Sequence, residues 1–281
     1  MIDYDKLMAW PFPAVRRDYD SADAIRFARG FGAGRGGALQ LADQPYLARG
    51  TVLALPMIAV PLADGEFWQQ RPETGIDWRQ IIHAEEALTV HRPIPACGTV
   101  VITQRIEEIF DRGAEKGAVM LQKQFLHDAD GQALATIDVT TMLRGNGGFG
   151  GKPYAPAKLL LTDQRAPDCQ IELQSADDRD AVFRLSAEIK AAAGAPPGKS
   201  MMRGVGGFGT AGRAILQLVC GNQPTRLKRL AVRYAGPMYT DEVLRVELWR
   251  LAPGKAVFRM SAPGRNALVL NNSYVEFEEN T

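Results

Sequence analysis

The 281-residue sequence predicts an α+β fold built twice, each copy a curved antiparallel sheet wrapped around one long helix. Three observations carry that expectation. Residues 81–143 divide into four β-branched, partly alternating runs, IIHAEEALTVHRPI, TVVITQRIEEIF, AVMLQKQFLHD and ALATIDVTTMLRG, separated by turn sequences of an antiparallel meander. Residues 183–221 run through a loop rich in Ala, Gly and Pro into a helix of small and aliphatic residues. Its apolar face is Ala211, Ala214, Ile215, Leu218 and Val219. The order also recurs: Arg49-Gly50 precedes one apolar segment as Arg203-Gly204 precedes the other, and HRPIPACGTVVI (91–102) answers YAGPMYTDEVLRV (234–246). A sheet with one apolar face must bury it, and a helix held inside the sheet's curve does so.

In chain order, DYDSADAIRFARGFGAG from Asp18 reads as a short helix capped by Asp20 or Ser21 and ended by glycines. Pro45–Leu62 is strongly apolar and predicts a buried helix kinked or ended near Pro56. The four strands follow. The stretch 144–168 is rich in Gly and Pro, has little periodicity, and marks the boundary between halves. This divides the chain into 1–150, a linker at 151–176, and 177–281. The second half gives the Gly-rich helix and then strands from RLKRLAVRYAGPMYTDEVLRVELWRL, KAVFRMSAPG and ALVLNNSYVEFEE. Gly206, Gly207, Gly209 and Gly212 cost helix propensity, so close backbone approach to strands or to a ligand is their expected compensation.

Composition removes several function classes. Lys plus Arg total 33 against 32 for Asp plus Glu, and a net charge of +1 offers no nucleic-acid footprint. Cys97, Cys169 and Cys220 have neither disulfide-framework nor zinc-ligand spacing, which fits a reducing cytoplasm. The N-terminal residues lack the pattern of a signal peptide, and no apolar run reaches the roughly 18 to 20 residues of a membrane span.

The stretches DSADAIRFARGFGAG, IHAEEALTVHRPIPACGTV, RGNGGFGGKP, FRLS, GFGTAGRAILQ, RLKRLAVRYAGPMYTDEVLRVELWR and NNSYVEF span nearly the whole chain. In these the sequence resembles the MaoC-like double-hotdog hydratases of the hydratase 2 type, which act on (R)-3-hydroxyacyl-CoA and trans-2-enoyl-CoA. The resemblance implies a double hotdog and an enoyl-CoA hydratase/dehydratase. It also implies an acyl-CoA thioester as substrate with no resident cofactor, and a homodimer or heteromer. One departure stands out. The family follows a segment like FRLS with Gly-Asp-x-Asn-Pro-Leu-His, whose Asp and His activate water, whereas here Ser186 leads directly into AEIKAAAGAPPGKSMMRG, and Arg203 stands where a later family His precedes glycine. A non-catalytic CoA-thioester-binding protein, or the silent subunit of a hydratase heteromer, is therefore the competing expectation. A thioesterase comes third, since no carboxylate is placed on the long helix.

Hydration of an enoyl thioester needs a base for water, an acid for the α-carbon, and donors for charge on the thioester oxygen. The amides of Gly204 and Val205, at a helix start, suit the last task. Arg203 could hold a thioester oxygen or CoA phosphate, or could be an ordinary salt-bridging residue. Glu188 is the nearest carboxylate to the lost motif, or a solvated residue opening a short helix. His83 could reach a bound thioester, or be a half-buried strand histidine; His91 and His127 read as structural and solvated, and Asp23 as a capping or surface residue. At the junction, Gly147, Gly148, Phe149 and Gly150 could form an anion-accepting nest with Lys152 adding charge for CoA phosphate, or could simply turn the chain with Phe149 plugging the interface. No metal site is expected.

Overall fold

The structure is a computed structural model that describes residues 2–35, 41–48, 50–155, 165–176 and 198–279. After a first helical turn, α1 (Tyr4–Met8), comes a short strand, β1 (Val15–Tyr19), and then the expected capped helix, α2 (Ser21–Gly30). Asp20 accepts from the Ala22 and Asp23 amides while Asp23 bonds back to the Asp20 amide, a reciprocal capping box. Asp23 is thereby committed to the cap and to Arg26, at 3.0 Å.

The apolar stretch 45–62 is not one kinked helix. It gives a single turn, α3 (Gln44–Leu47), an extended connection, a 3-10 turn at Pro56–Ile58, and a short helix, α4 (Ala59–Ala63). Pro56 opens that helical segment because its missing N–H costs nothing at a first position and its φ is already helical. The meander follows as β2 (Ile81–Val90), β3 (Gly98–Asp111), β4 (Ala118–Asp128) and β5 (Ala133–Leu143).

The second half begins earlier than its composition suggests. Residues 169–174, assigned above to the linker, form β6 (Cys169–Gln174), paired with β8 along its whole length. Its short CQIELQ run has no helix-sized signal, and only the partner strand makes it visible. Next come α5 (Gly204–Val219), β7 (Leu227–Arg233), β8 (Val243–Ala252), β9 (Lys255–Ala262) and β10 (Ala267–Phe277).

Among the described residues these strands make one antiparallel sheet in the order β1-β3-β4-β5-β2-β7-β10-β9-β8-β6. Read inward from either end, the halves have the same connectivity: first, third, fourth, fifth, second. The repeat is thus real, and the two halves join where β2 pairs with β7, Leu88 opposite Leu230. Each half covers the edge its partner would otherwise expose.

Helix α5 lies against the core of both halves, with every residue from Gly206 to Leu216 buried. Two of its glycines allow this. A Cβ on Gly209 would enter the Phe31 ring, and one on Gly212 would lie 2.5 Å from Met57 Sδ. The helix is also pinned by Arg213, whose guanidinium donates to both Asp43 oxygens (3.2 and 2.6 Å) and to the Phe31 carbonyl (2.9 Å). This bidentate pair is almost wholly out of water, and it fixes Asp43 against α5. No described helix is long and apolar enough to cross a membrane.

Candidate active site

The N-terminus of α5 opens onto a cavity of about 410 Å³ on the concave side of the first-half sheet. Its lining includes Arg203, Gly204 and Val205 at the helix start, and His83 and Glu86 on β2. Val139 and Thr141 come from β5, the glutamines 104, 122 and 124 from β3 and β4, and residues 64–69 form a rim over them. The first N–H groups of a helix have no acceptor within it, so the Gly204 end presents amides and the positive end of the α5 dipole to the cavity.

His83 and Glu86 share this cavity because of a local irregularity. Strand alternation puts residues three apart on opposite faces. The register of β2 against β5 shifts between His83 and Glu85, so that His83 faces Thr141 while Glu85 faces Thr140. One extra residue, Ala84, turns both His83 and Glu86 inward. Glu85 points to the other face and pairs with Arg233 across the junction between halves, at 2.7 Å.

Glu86 is sealed from solvent, and burial raises its carboxyl above the ordinary carboxylate range. Nearby His83 and the hydrogen bond from Tyr234 Oη to Glu86 Oε2, at 2.9 Å, oppose the rise, while Asp64 adds to it. The Tyr234 phenol is itself pushed far up by burial and by Glu86, so it stays protonated and donates. The His83 ring lies 5.0 Å from that of Tyr234, and its Nε2 is buried without a hydrogen-bond partner among the described residues. Gly204 lets the helix start close to both side chains: a Cβ would sit 3.1 Å from the Tyr234 Cζ and Oη atoms and 3.4 Å from His83 Nδ1. Asp64 lies exposed at the mouth, where crowding raises its carboxyl against the opposing pull of Arg17. Water at the mouth screens that rise, and Glu86 has no such screen.

A buried carboxyl of raised pKa, an imidazole nitrogen without a partner among the described residues and an amide-rich helix start therefore face one cavity. Such a set can move a proton beside a polarised carbonyl. Among the described residues no cluster is arranged to hold a metal.

The family model for the MFE-2 hydratase 2 N-terminal domain matches residues 18–145. In sequence the chain is similar to proteins of the MaoC-like hydratase 2 type, the family model spanning somewhat less than half of it. The 3-hydroxyacyl-thioester dehydratase Y of Mycobacterium tuberculosis is 28% identical over 282 residues, covering 92% of this chain and 93% of that protein. Enoyl-CoA hydratase ChsH3 of the same organism is 29% identical over 284 residues, covering 96% and 97%. In three dimensions the crystal structure of a MaoC-like dehydratase from Phytophthora capsici superposes with a TM-score of 0.82 at 22% identity, over 99% of both chains, and so shares the fold.

The candidate residues separate in the structure. His83, Arg203, Gly204 and Val205 come together at the cavity. Glu188 lies outside the described residues, as does Arg49. The junction glycines do form an anion-holding nest, but its anion belongs to the chain: the Gly148 and Gly150 amides donate to the two Asp111 oxygens, at 2.8 and 2.7 Å. Gly147 packs against the backbone of Gly113 and Gly117. Lys152 is spent on Glu108 at 2.6 Å, and Phe149 stacks on Tyr4 beside a small second core. The Gly148 and Gly150 amides and the Lys152 ammonium thus have partners within the chain, and none of the junction residues lines the cavity. His91 bonds Thr136 at 2.8 Å on the surface.

Sequence reasoning passed over Glu86 and Tyr234. The signal available was the paired acid in HAEEAL, and nothing local says which of the two glutamates turns inward.

Proposed function

We propose that the protein interconverts trans-2-enoyl-CoA and (R)-3-hydroxyacyl-CoA, with Glu86 as the group that moves the proton. The observation that carries this is the sealed Glu86 carboxyl, oriented by Tyr234 and set beside His83 at the amide end of α5. In the hydration direction the water oxygen bonds to the β-carbon as its proton passes to the Glu86 carboxylate. The displaced electron pair moves to the thioester oxygen, where the Gly204 amide stabilises it. As the pair returns to the α-carbon, that carbon takes the proton from Glu86, which ends as the carboxylate it began as. His83, whose Nε2 has no partner among the described residues, holds the water or the new hydroxyl in line. Raised pKa strengthens Glu86 as a base once ionised. The scattered cysteines suit a reducing cytoplasm, and a homodimer or heteromer is the assembly expected of hotdog units.

A second reading has its own observation. The residues after Ser186 lack the family's Asp/His segment, which favours a CoA-thioester-binding protein or a silent subunit. Loss of crotonyl-CoA absorbance measures turnover, and calorimetry measures binding. The expected result is turnover by the native protein and a fall of roughly 10² to 10⁴ in kcat for Glu86→Gln with binding retained. Binding without turnover would replace the enzyme reading by the second, and no binding would refute both.

A further inference from the structure

The concave face of the first-half sheet is apolar over most of its area, with Ile102, Ile106, Met120 and Leu126 all buried. It turns polar where the cavity runs away from Glu86. Across the strands Glu86 faces Val139 on β5, and Val139 faces Gln122 on β4. Two residues further along β4, Gln124 faces Gln104 on β3. Gln122 thus lies two strand spacings from the proton-moving carboxyl along one row, about 10 Å, and Gln104 one spacing beyond that row.

The three glutamines bond mainly to one another. Gln104 Oε1 accepts from Gln122 Nε2 at 2.7 Å and from Gln124 Nε2 at 3.3 Å, and Gln124 Nε2 also reaches the Ala63 carbonyl at 3.4 Å. An amide side chain offers two donor hydrogens and a two-lone-pair acceptor. The Gln104 nitrogen and the Gln122 and Gln124 oxygens are left with no protein partner among the described residues, and all three residues line the cavity. A saturated tail laid over them would strip their water and give nothing back, the costly arrangement for buried polar groups.

We propose that the acyl group this site takes carries a hydrogen-bonding oxygen, a hydroxyl or carbonyl, about 10 Å from the reacting carbons. The site is then selective for oxygenated acyl thioesters over plain fatty ones. This rests on the enoyl-thioester reading above and adds the identity of the tail.

The test compares kcat/KM for trans-2-decenoyl-CoA and its ω-hydroxylated counterpart, with crotonyl-CoA as a short reference. The expected result is a preference of roughly ten- to a hundredfold for the hydroxylated substrate, the scale of one unsatisfied buried polar group. That preference should be lost or reversed in Gln122→Met, and again in Gln124→Met as a second variant. Equal rates, or a preference for the plain chain, in the native protein would overturn the proposal and leave the hydratase reading standing. So would turnover of crotonyl-CoA with neither longer substrate accepted. If none of the three is turned over or bound, the thioester reading fails and takes this proposal with it.

Discussion

Replacing Tyr234 by Phe removes one hydroxyl and leaves the ring against His83. The structure fixes the consequence. Tyr234 Oη donates to Glu86 Oε2 at 2.9 Å and holds the Glu86 pKa down against burial. Hydrogen bonds to charged groups contribute about 1.5–3 kcal/mol, and about 1.4 kcal/mol corresponds to one pKa unit. Losing this bond should raise the Glu86 pKa further, since it is one of the interactions that oppose the effect of burial. If ionised Glu86 is the base, activity rises with pH through its pKa, so the acid limb of the kcat/KM profile should move to higher pH. The assay is enoyl-CoA absorbance followed from mildly acid to mildly alkaline pH in the native protein and Tyr234→Phe. An unmoved acid limb would refute the argument, because it would mean that Glu86 does not govern that limb or that Tyr234 does not act on Glu86.

The raised Glu86 pKa also predicts a stability effect: the folded state holds this proton more tightly than the unfolded one, so the contribution is full below the ordinary value of 4.5 and is lost as pH rises through the folded value. Glu86→Gln should therefore flatten the decline in Tm with rising pH, and parallel declines in both proteins would count against it. Asp43→Ala would strand the Arg213 cation in the core at a cost of about 3–5 kcal/mol, read from urea unfolding, and a loss below about 1 kcal/mol would show the pair to be dispensable. Gly209→Ala would drive a methyl into the Phe31 ring and should cost about 1–3 kcal/mol despite better helix propensity; a stabilised variant would contradict that packing. Lys152→Ala should leave acyl-CoA affinity by calorimetry unchanged, since its ammonium is spent on Glu108, and weaker binding would restore the junction as a phosphate site.

Much of this fold was legible in one dimension because its signals are local and long. The meander of 81–143 alternates over ten or more residues per strand, and α5 carries a helical apolar face, so neighbours in sequence suffice to read them. β1 and β6 were not legible: five and six residues without a strong alternation become strands only when β3 and β8 lie beside them. The stretch 45–62 misled because an apolar run says that a segment is buried and not what shape it takes there.

At the site the same division holds. The sequence alone determined that Gly204 opens a buried helix after Arg203 and that the halves repeat. Only the tertiary structure decided which acid is the candidate. A single extra residue in β2 reverses the facing of one glutamate of a pair, and register is a property of two strands together. It likewise gave the junction glycines to Asp111 and set three glutamines of the β3–β4 pair in one cavity with Arg203 and Gly204 from the far half of the chain. Contacts of that kind depend on which backbones the fold brings side by side, and no periodicity within one segment records them.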